Sequence, residues 1–442
     1  MTRAPAAGAA ERVRAYFAAA RPELVATLAE LVAVPSLPGS LRQNDCQAIL
    51  ADLLGARATI DRWVPDWDAV RAMKSADDEP LYLPIEERDA AYGEILPSLE
   101  VLVASVDAGS AGPHLILNGH IDVAGVEPED AWSTPPFDPV VDGDRMYGRG
   151  TMDMKAGVVA AAFALRAIAD LELADAGLVS FASVPEEESG GNGTLAALAR
   201  GHVGDAVVFT EPTGLQVVHR HLGIQEFAIR LTGRAGGMLK RSWGDSAAVA
   251  MAQVVVALDA LEAARSRRAK LAGGYDEDDE PGFINVGRLE AGEWLATRAG
   301  SATARGLMGV LPGERPADAL AELEHALSAI EWTRDWFERH GPALEAPAPG
   351  HAGGELAADD DLVTAFTSAG RALGHPGIRP SRAGAMVCDA KVVHGGGFAP
   401  ALVFGPEGTG LHCPDESVVL GSVLTCAEVL TLGVSQLLAT RT

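Results

Sequence analysis

Between residues 11 and 34 the apolar positions Val13, Phe17, Leu24, Leu28 and Leu31 recur at helical spacing, and Pro35 follows as a stop. The pattern predicts a helix over 11–34. Two apolar runs, 99–106 and 114–118, read as strands separated by a Gly-rich turn. A helix is predicted from Ala156, and short apolar strands over 178–184 and 206–210. Strands alternating with helices predict an α/β fold built on a mixed, mostly parallel sheet. The stretch 63–98, polar and tryptophan-bearing, shows no period and reads as an irregular insertion.

The pattern changes after Pro212-Thr213-Gly214. Residues 225–231 alternate as a strand, 246–264 read as a helix, and 283–289 and 302–310 as further strands. A second helix is predicted over 314–330 and a last strand over 332–338. Two helices with about four strands make a compact α+β insert. The Pro- and Ala-rich 341–350 reads as the linker back. Helix 361–373, strand 401–404 and helix 418–438 then complete the first domain. The expected division is 1–213 with 341–442 as one domain and 214–340 as a smaller lid.

Composition narrows the function classes. The chain has 442 residues, 48% of them hydrophobic, which is ample for a core and excludes a wholly disordered protein. A formal charge of −26 argues against a nucleic-acid or anionic-membrane surface, because both require clustered positive charge. It leaves room for a small cationic pocket that takes a small-molecule substrate, or for bound divalent metal. Cys46, Cys388, Cys413 and Cys426 are too scattered for a disulfide framework or a CxxC metal site. Charges and Pro22 interrupt the first thirty residues where a signal peptide needs an apolar core. The apolar stretches 156–171 and 247–261 hold Arg166 and Asp259 and fall short of a membrane span. A soluble cytoplasmic protein is the expectation.

The candidate chemistry lies where predicted strands end, the usual ligand side of an open α/β sheet. His120 and Asp122 stand two apart at one strand end, so both can face the same way. Asp153 precedes a helix, Glu186, Glu187 and Glu188 follow the strand ending at Val184, and Glu211 follows the next strand. His412 follows an apolar run and a Gly-rich turn. Histidines with carboxylates suit a borderline-soft divalent ion, zinc first, with cobalt or manganese as alternatives. There is room for two ions bridged by one carboxylate. Each feature alone has a plainer reading: a surface HxD pair, a solvated glutamate run, a structural histidine in a turn.

Five frames give these residues a common context: LNGHIDV (117–123), GRGTMDMKAG (148–157), PEEESGGNGT (185–194), TEPT (210–213) and GPEGTGLHCPDE (405–416). In order and spacing they resemble the metallopeptidase family M20, which includes amide-cleaving deacylases, desuccinylases and carboxypeptidases. The resemblance covers nearly the whole chain and is weakest over 63–98 and in the insert. It implies a dimetal catalytic domain interrupted by an α+β lid. It implies that Asp153 bridges two metals, that His120 and Glu211 bind one, and that Glu188 and His412 bind the other. Glu187 takes the family's general-base position and Asp122 that of the carboxylate behind the histidine. The resemblance also implies a cis peptide at Asp153–Met154 and dimerisation through the lid. The implied reaction is hydrolysis of an amide in an N-acyl amino acid or small peptide-like metabolite, with Glu187 moving the proton from water to the leaving nitrogen.

The match breaks in the lid. After the frame TGRAG (232–236) the family carries a histidine that steadies the oxyanion, and here the residue is Gly237. The family's asparagine and arginine align with Leu295 and Gly309. Loss of a single oxyanion donor costs on the order of 10²–10³ in turnover. Arg234, Lys240, Arg241, Arg298 and Arg305 are candidate substitutes serving a different substrate. Two other readings stand beside this one: non-hydrolytic chemistry at the same metals (isomerisation, decarboxylation or acyl transfer), or a silent metal-binding homologue.

Overall fold

The protein is described from a computed structural model covering residues 8–87, 90–109, 112–126, 128–174, 176–381 and 386–441. The chain divides into two units, Met1–Arg220 with Leu356–Arg382 and Cys388–Thr442, and His221–Glu355 with Ala383–Val387. The main strands in chain order are β1 (Thr59–Trp63), β2 (Val101–Asp107), β3 (His114–His120), β4 (Leu178–Val184), β5 (Ala206–Phe209), β6 (Val217–Val218), β7 (Gly223–Thr232), β8 (Ile284–Ala291), β9 (Ser301–Val310), β10 (Ala343–Glu345), β11 (Pro380–Ser381) and β12 (Ala401–Val403). The main helices are α1 (Ala9–Val32), α2 (Ala156–Asp170), α3 (Asn192–Arg200), α4 (Ala247–Ala272), α5 (Pro316–Ser328), α6 (Asp361–Ala372), α7 (Ala390–Val393) and α8 (Leu420–Arg441).

The first unit is built on a mixed sheet of order β1-β2-β4-β3-β5-β12-β6-β11. β4, β3, β5 and β12 run parallel to one another, whereas β1 and β2 pair antiparallel at one side. The central strands are near-continuous apolar runs, as strands covered on both faces must be. α2 is buried over Ala156–Ile168, and its one charged residue there, Arg166, makes a two-point ion pair with Glu23 at 2.6 and 2.7 Å. α1 ends where the buried Lys155 ammonium donates to the carbonyls of Leu31 and Val34, both at 2.8 Å. A cation at a helix C-terminus satisfies orphan carbonyls and the helix dipole together.

The second unit is an antiparallel sheet of order β8-β9-β7-β10. Phe227, Ile229, Leu231, Ala302, Ala304 and Met308 form its core with the inward side of α4 and with Ala319, Leu323 and Leu327 of α5. β8 is an edge strand whose residues from Arg288 to Ala291 are exposed.

Several local expectations change. The predicted strand at 332–338 is a helix over Asp335–His340. Trp332, Trp336 and Phe337 are spaced i, i+4, i+5, which fits one helical face better than alternation. The predicted linker 341–350 contains β10, paired with β7 through Ala228, Ile229 and Arg230. The insertion 63–98 holds a short helix, Trp67–Arg71, whose N-cap Asp66 accepts from the amides of Asp68 and Ala69. α4 runs on to Ala272, so it and Leu420–Ala439 are long and apolar enough to cross a membrane by length and composition, contrary to the shorter stretch predicted. The most apolar stretch of the first is 28% buried inside the protein and that of the second 67%.

Candidate metal centre

The strand ends of the first unit bring the motif residues together. His120 closes β3, and its Nδ1 donates to the main-chain carbonyl of Asp122 at 2.9 Å. That bond turns Nε2 towards Asp153 Oδ1 at 3.2 Å and Glu211 Oε1 at 3.7 Å. The other oxygen of Asp153 lies 3.0 Å from His412 Nε2, which is also 3.2 Å from Glu188 Oε2. Two groups result, His120–Asp153–Glu211 and Asp153–Glu188–His412, with donor atoms in each within 4.8 Å of one another. Asp153 belongs to both.

The chemistry of this donor set fits two divalent cations. Three carboxylates crowd together in a largely buried site, Glu188 Oε1 has no hydrogen-bond partner, and the imidazoles present Nε2 towards the acids. The acids and histidines also shift one another strongly. Hydrogen bonds to Asp153 and Glu188 raise the His412 imidazolium to about 10. Burial works against His120, yet Glu211 and Asp153 hold it well above the usual histidine range. Burial raises Glu211 well above the ordinary carboxylate range. The cluster therefore demands positive charge, which either protons or metal ions supply.

Asp122 departs in detail from a simple histidine-backing role. Its carboxylate Oδ1 is 3.6 Å from His120 Nδ1, whereas its two oxygens accept the amides of Glu187 and Glu188, each at 3.1 Å. One buried side chain thus fixes the turn that carries two acids. Burial pushes Asp122 up to about 6 and Glu187 up to about 7, the latter despite the nearby Lys391. The peptide Asp153–Met154 is cis.

Two supporting groups escaped the sequence reading. Glu416, fully buried, accepts from the amides of Gly150, Met152 and Asp153 at 3.0, 2.7 and 3.0 Å and from Arg149 Nη1 at 2.6 Å. It holds the Asp153 turn. Lys391, 3% exposed, reaches Glu187 Oε1 at 3.3 Å and Asp389 Oδ1 at 3.4 Å. Its signal was compositional: only Lys74, Lys155, Lys240, Lys270 and Lys391 are lysines, and this one follows an aspartate in an apolar run.

The atypical lid positions lie in the second unit. A Cβ on Gly237 would stand 2.9 Å from Trp243 Cε3, so the indole fills that space. A Cβ on Gly309 would meet the Pro281 carbonyl at 2.8 Å and the Phe283 ring at 3.0 Å. Leu295 is fully exposed, beside exposed Trp294. Of the cationic candidates, Arg234 pairs with Asp245 at 2.9 Å and lies over Trp336, Arg305 pairs with Glu226 at 2.9 Å, and Lys240 lies over Trp243. Arg298 lines a cavity of about 310 Å³ with Ser246, Gln253 and Arg334. The Arg241 side chain lies outside the described residues.

Comparison with known proteins gives the family and the fold. The profile of Peptidase family M20/M25/M40 matches residues 116–436, and the chain belongs to that family of metal-dependent hydrolases. An N-formyl-4-amino-5-aminomethyl-2-methylpyrimidine deformylase of Halalkalibacterium halodurans is 29% identical over 52% of this chain and 55% of the relative. A probable succinyl-diaminopimelate desuccinylase of Staphylococcus aureus is 32% identical over 29% of this chain and 32% of the relative. The chain thus spans about half the length of the first relative and about a third of the second. A dinuclear metal binding peptidase of the M20 family from Bacillus subtilis shares the fold, with a TM-score of 0.61 and 14% identity over 96% of this chain and 99% of that one.

Proposed function

We propose that the protein is a dimetal hydrolase that cleaves the amide of an N-acyl amino acid or small peptide-like metabolite. The observation that carries this reading is one carboxylate, Asp153, shared by two His–carboxylate groups, with Glu187 close enough to feel the charges of His120 and Glu188. His120, Glu211 and Asp153 would hold one ion, and Glu188, His412 and Asp153 the other, zinc being the first choice for this donor set. Bound ions supply Lewis-acid activation of water and of a substrate carbonyl. Glu187, raised to about 7 by burial, suits a base working near neutral pH. It takes the proton from water and returns it to the leaving nitrogen, so that water and amide become acid and amine. Asp122 keeps Glu187 and Glu188 in place through their amides, and Glu416 does the same for Asp153.

Recognition in the second unit is altered. The family's histidine and arginine positions are glycines beneath Trp243 and Phe283, and its asparagine position is an exposed leucine. We infer a substrate that does not rely on the usual carboxylate and oxyanion grip, with Arg234, Lys240, Arg298 and Arg305 as candidate contacts. The second unit serves as lid and dimerisation domain, supported by the exposed Val249 and Val256 on α4 and by the open edge of β8. A cytoplasmic setting accords with the free, exposed thiol of Cys413, which a reducing compartment preserves.

The test is turnover across a panel of N-formyl, N-acetyl and N-succinyl amines and amino acids, with product masses. Hydrolysis adds water, chelation abolishes it, and zinc restores it. A product isomeric with its substrate would replace this reading with a non-hydrolytic one. Two bound metals with no turnover across the panel would leave a silent metal-binding protein.

A further inference from the structure

Glu187 is joined to a chain of buried polar groups that are not themselves in either candidate metal group. Asn118 Nδ2, on β3, donates to Thr194 Oγ1 at 3.1 Å. Thr194, in the first turn of α3, donates to Asp389 Oδ2 at 2.6 Å. Asp389 Oδ1 accepts from Lys391 Nζ at 3.4 Å, and Lys391 in turn donates to Glu187 Oε1 at 3.3 Å. Asn118, Thr194, Asp389 and Lys391 are all buried.

A buried ammonium is retained only where opposite charge and hydrogen bonds repay its desolvation. Burial works to lower the Lys391 pKa, yet Glu187 and Asp389 outweigh it and raise the group above the ordinary lysine range. Asp389 is itself tied by Thr194, so the ammonium has one fixed carboxylate and one that faces the reaction. A purely structural ion pair would have no reason to spend one of its two partners on the base. Resting on the hydrolytic reading above, we propose that Lys391 is a positioning residue for Glu187. It anchors Oε1 to the Asp389–Thr194–Asn118 chain and leaves Oε2 as the oxygen that exchanges the proton.

A general base held about 1 Å off its productive place loses on the order of 10² in rate. Lys391→Met is therefore expected to lower kcat on the order of 10²-fold while KM and the content of two metals per chain stay as in the wild type. Lys391→Arg, which keeps the charge, should recover at least about tenfold of that loss. In a Glu187→Gln background Lys391→Met should add no further loss, since nothing remains to be positioned. Metal content by elemental analysis and thermal unfolding are measured on every variant.

Unchanged kcat in Lys391→Met would overturn the proposal, as would loss of metal in step with activity. An equal further loss in the Glu187→Gln background would do the same. If Lys391→Met does not fold, Thr194→Val takes its place: it cuts the chain between Asn118 and Asp389, so that Asp389 is loosened, and should lower kcat without moving KM or metal content, and no change in kcat overturns the proposal. Full turnover in Glu187→Gln would likewise overturn the positioning of a base, whereas a product isomeric with its substrate would overturn the hydrolytic reading itself, whatever the Lys391 variants do.

Discussion

In the first unit the residues of the metal centre are held by other polar groups. His120 is aimed by the Asp122 carbonyl, the Glu187 and Glu188 amides by the Asp122 carboxylate, and the Asp153 turn by Glu416. In the second unit the positions where the family resemblance expects polar groups are Gly237, Leu295 and Gly309, and aromatic rings occupy the space at two of them. The contrast separates two kinds of constraint. A cluster of buried charges tolerates few changes, because every member is another's partner. A lid position answers only to its ligand and to local packing, so it can be rebuilt with apolar residues when the ligand changes.

Breaking the first region should cost most. Glu187→Gln is expected to lower kcat on the order of 10²–10⁴-fold with two metals retained, read from steady-state kinetics beside elemental analysis. Metal lost together with activity would move Glu187 from base to ligand. Asp122→Asn keeps the shape and the main-chain carbonyl that aims His120, but weakens the hold on the Glu187 and Glu188 amides. A fall on the order of 10–100-fold in metal affinity or activity is expected, measured by titration of the metal-free protein. An unaffected affinity would show that the turn carrying Glu187 and Glu188 stands without its carboxylate.

Rebuilding the second region tests the other half of the comparison. Gly309→Arg restores the family's residue type, yet its Cβ would press on the Pro281 carbonyl and the Phe283 ring. It should destabilise by about 1–3 kcal/mol in denaturant unfolding and gain no activity on carboxylate-bearing substrates. A stable, more active variant would mean that the apolar lid is incidental.

The smallest effect concerns a carboxylate raised chiefly by burial. Glu428 of α8 is raised to about 7 chiefly by burial, with Arg14 opposing. A raised folded-state pKa means that the folded protein binds the proton more tightly. Its contribution is complete below the unfolded value near 4.5 and is lost as pH rises through about 7. Glu428→Gln, which cannot ionise, should gain about 1 kcal/mol over the wild type at about pH 8 and almost nothing at about pH 4, after allowance for solvent screening. Thermal unfolding at the two pH values checks it.

The candidate site was legible because its members are sequence-local to strand ends. His120, Glu187 and Glu211 lie at or just after the ends of β3, β4 and β5, and parallel strands put those ends side by side. Glu416 and Lys391 were not legible as supports, since their partners lie 263 and 204 residues away and no periodicity reports a contact of that kind. In the fold, apolar spacing found the long elements, including β4 to the residue. It failed at 332–338, where Trp332, Trp336 and Phe337 follow helical spacing rather than alternation, and it missed β10, too short to show a period.

The hold of Glu416 on the Asp153 turn also sets an order of assembly during synthesis. The second unit is almost continuous in sequence and has all of its residues once Val387 has emerged. The first unit has to wait, because Glu416, His412 and α8 come after it. Until those last residues leave the ribosome, the acidic turn around Asp153 has neither its tether nor its second histidine. Domains fold as units during synthesis, so the inserted domain is complete while its host still stands open.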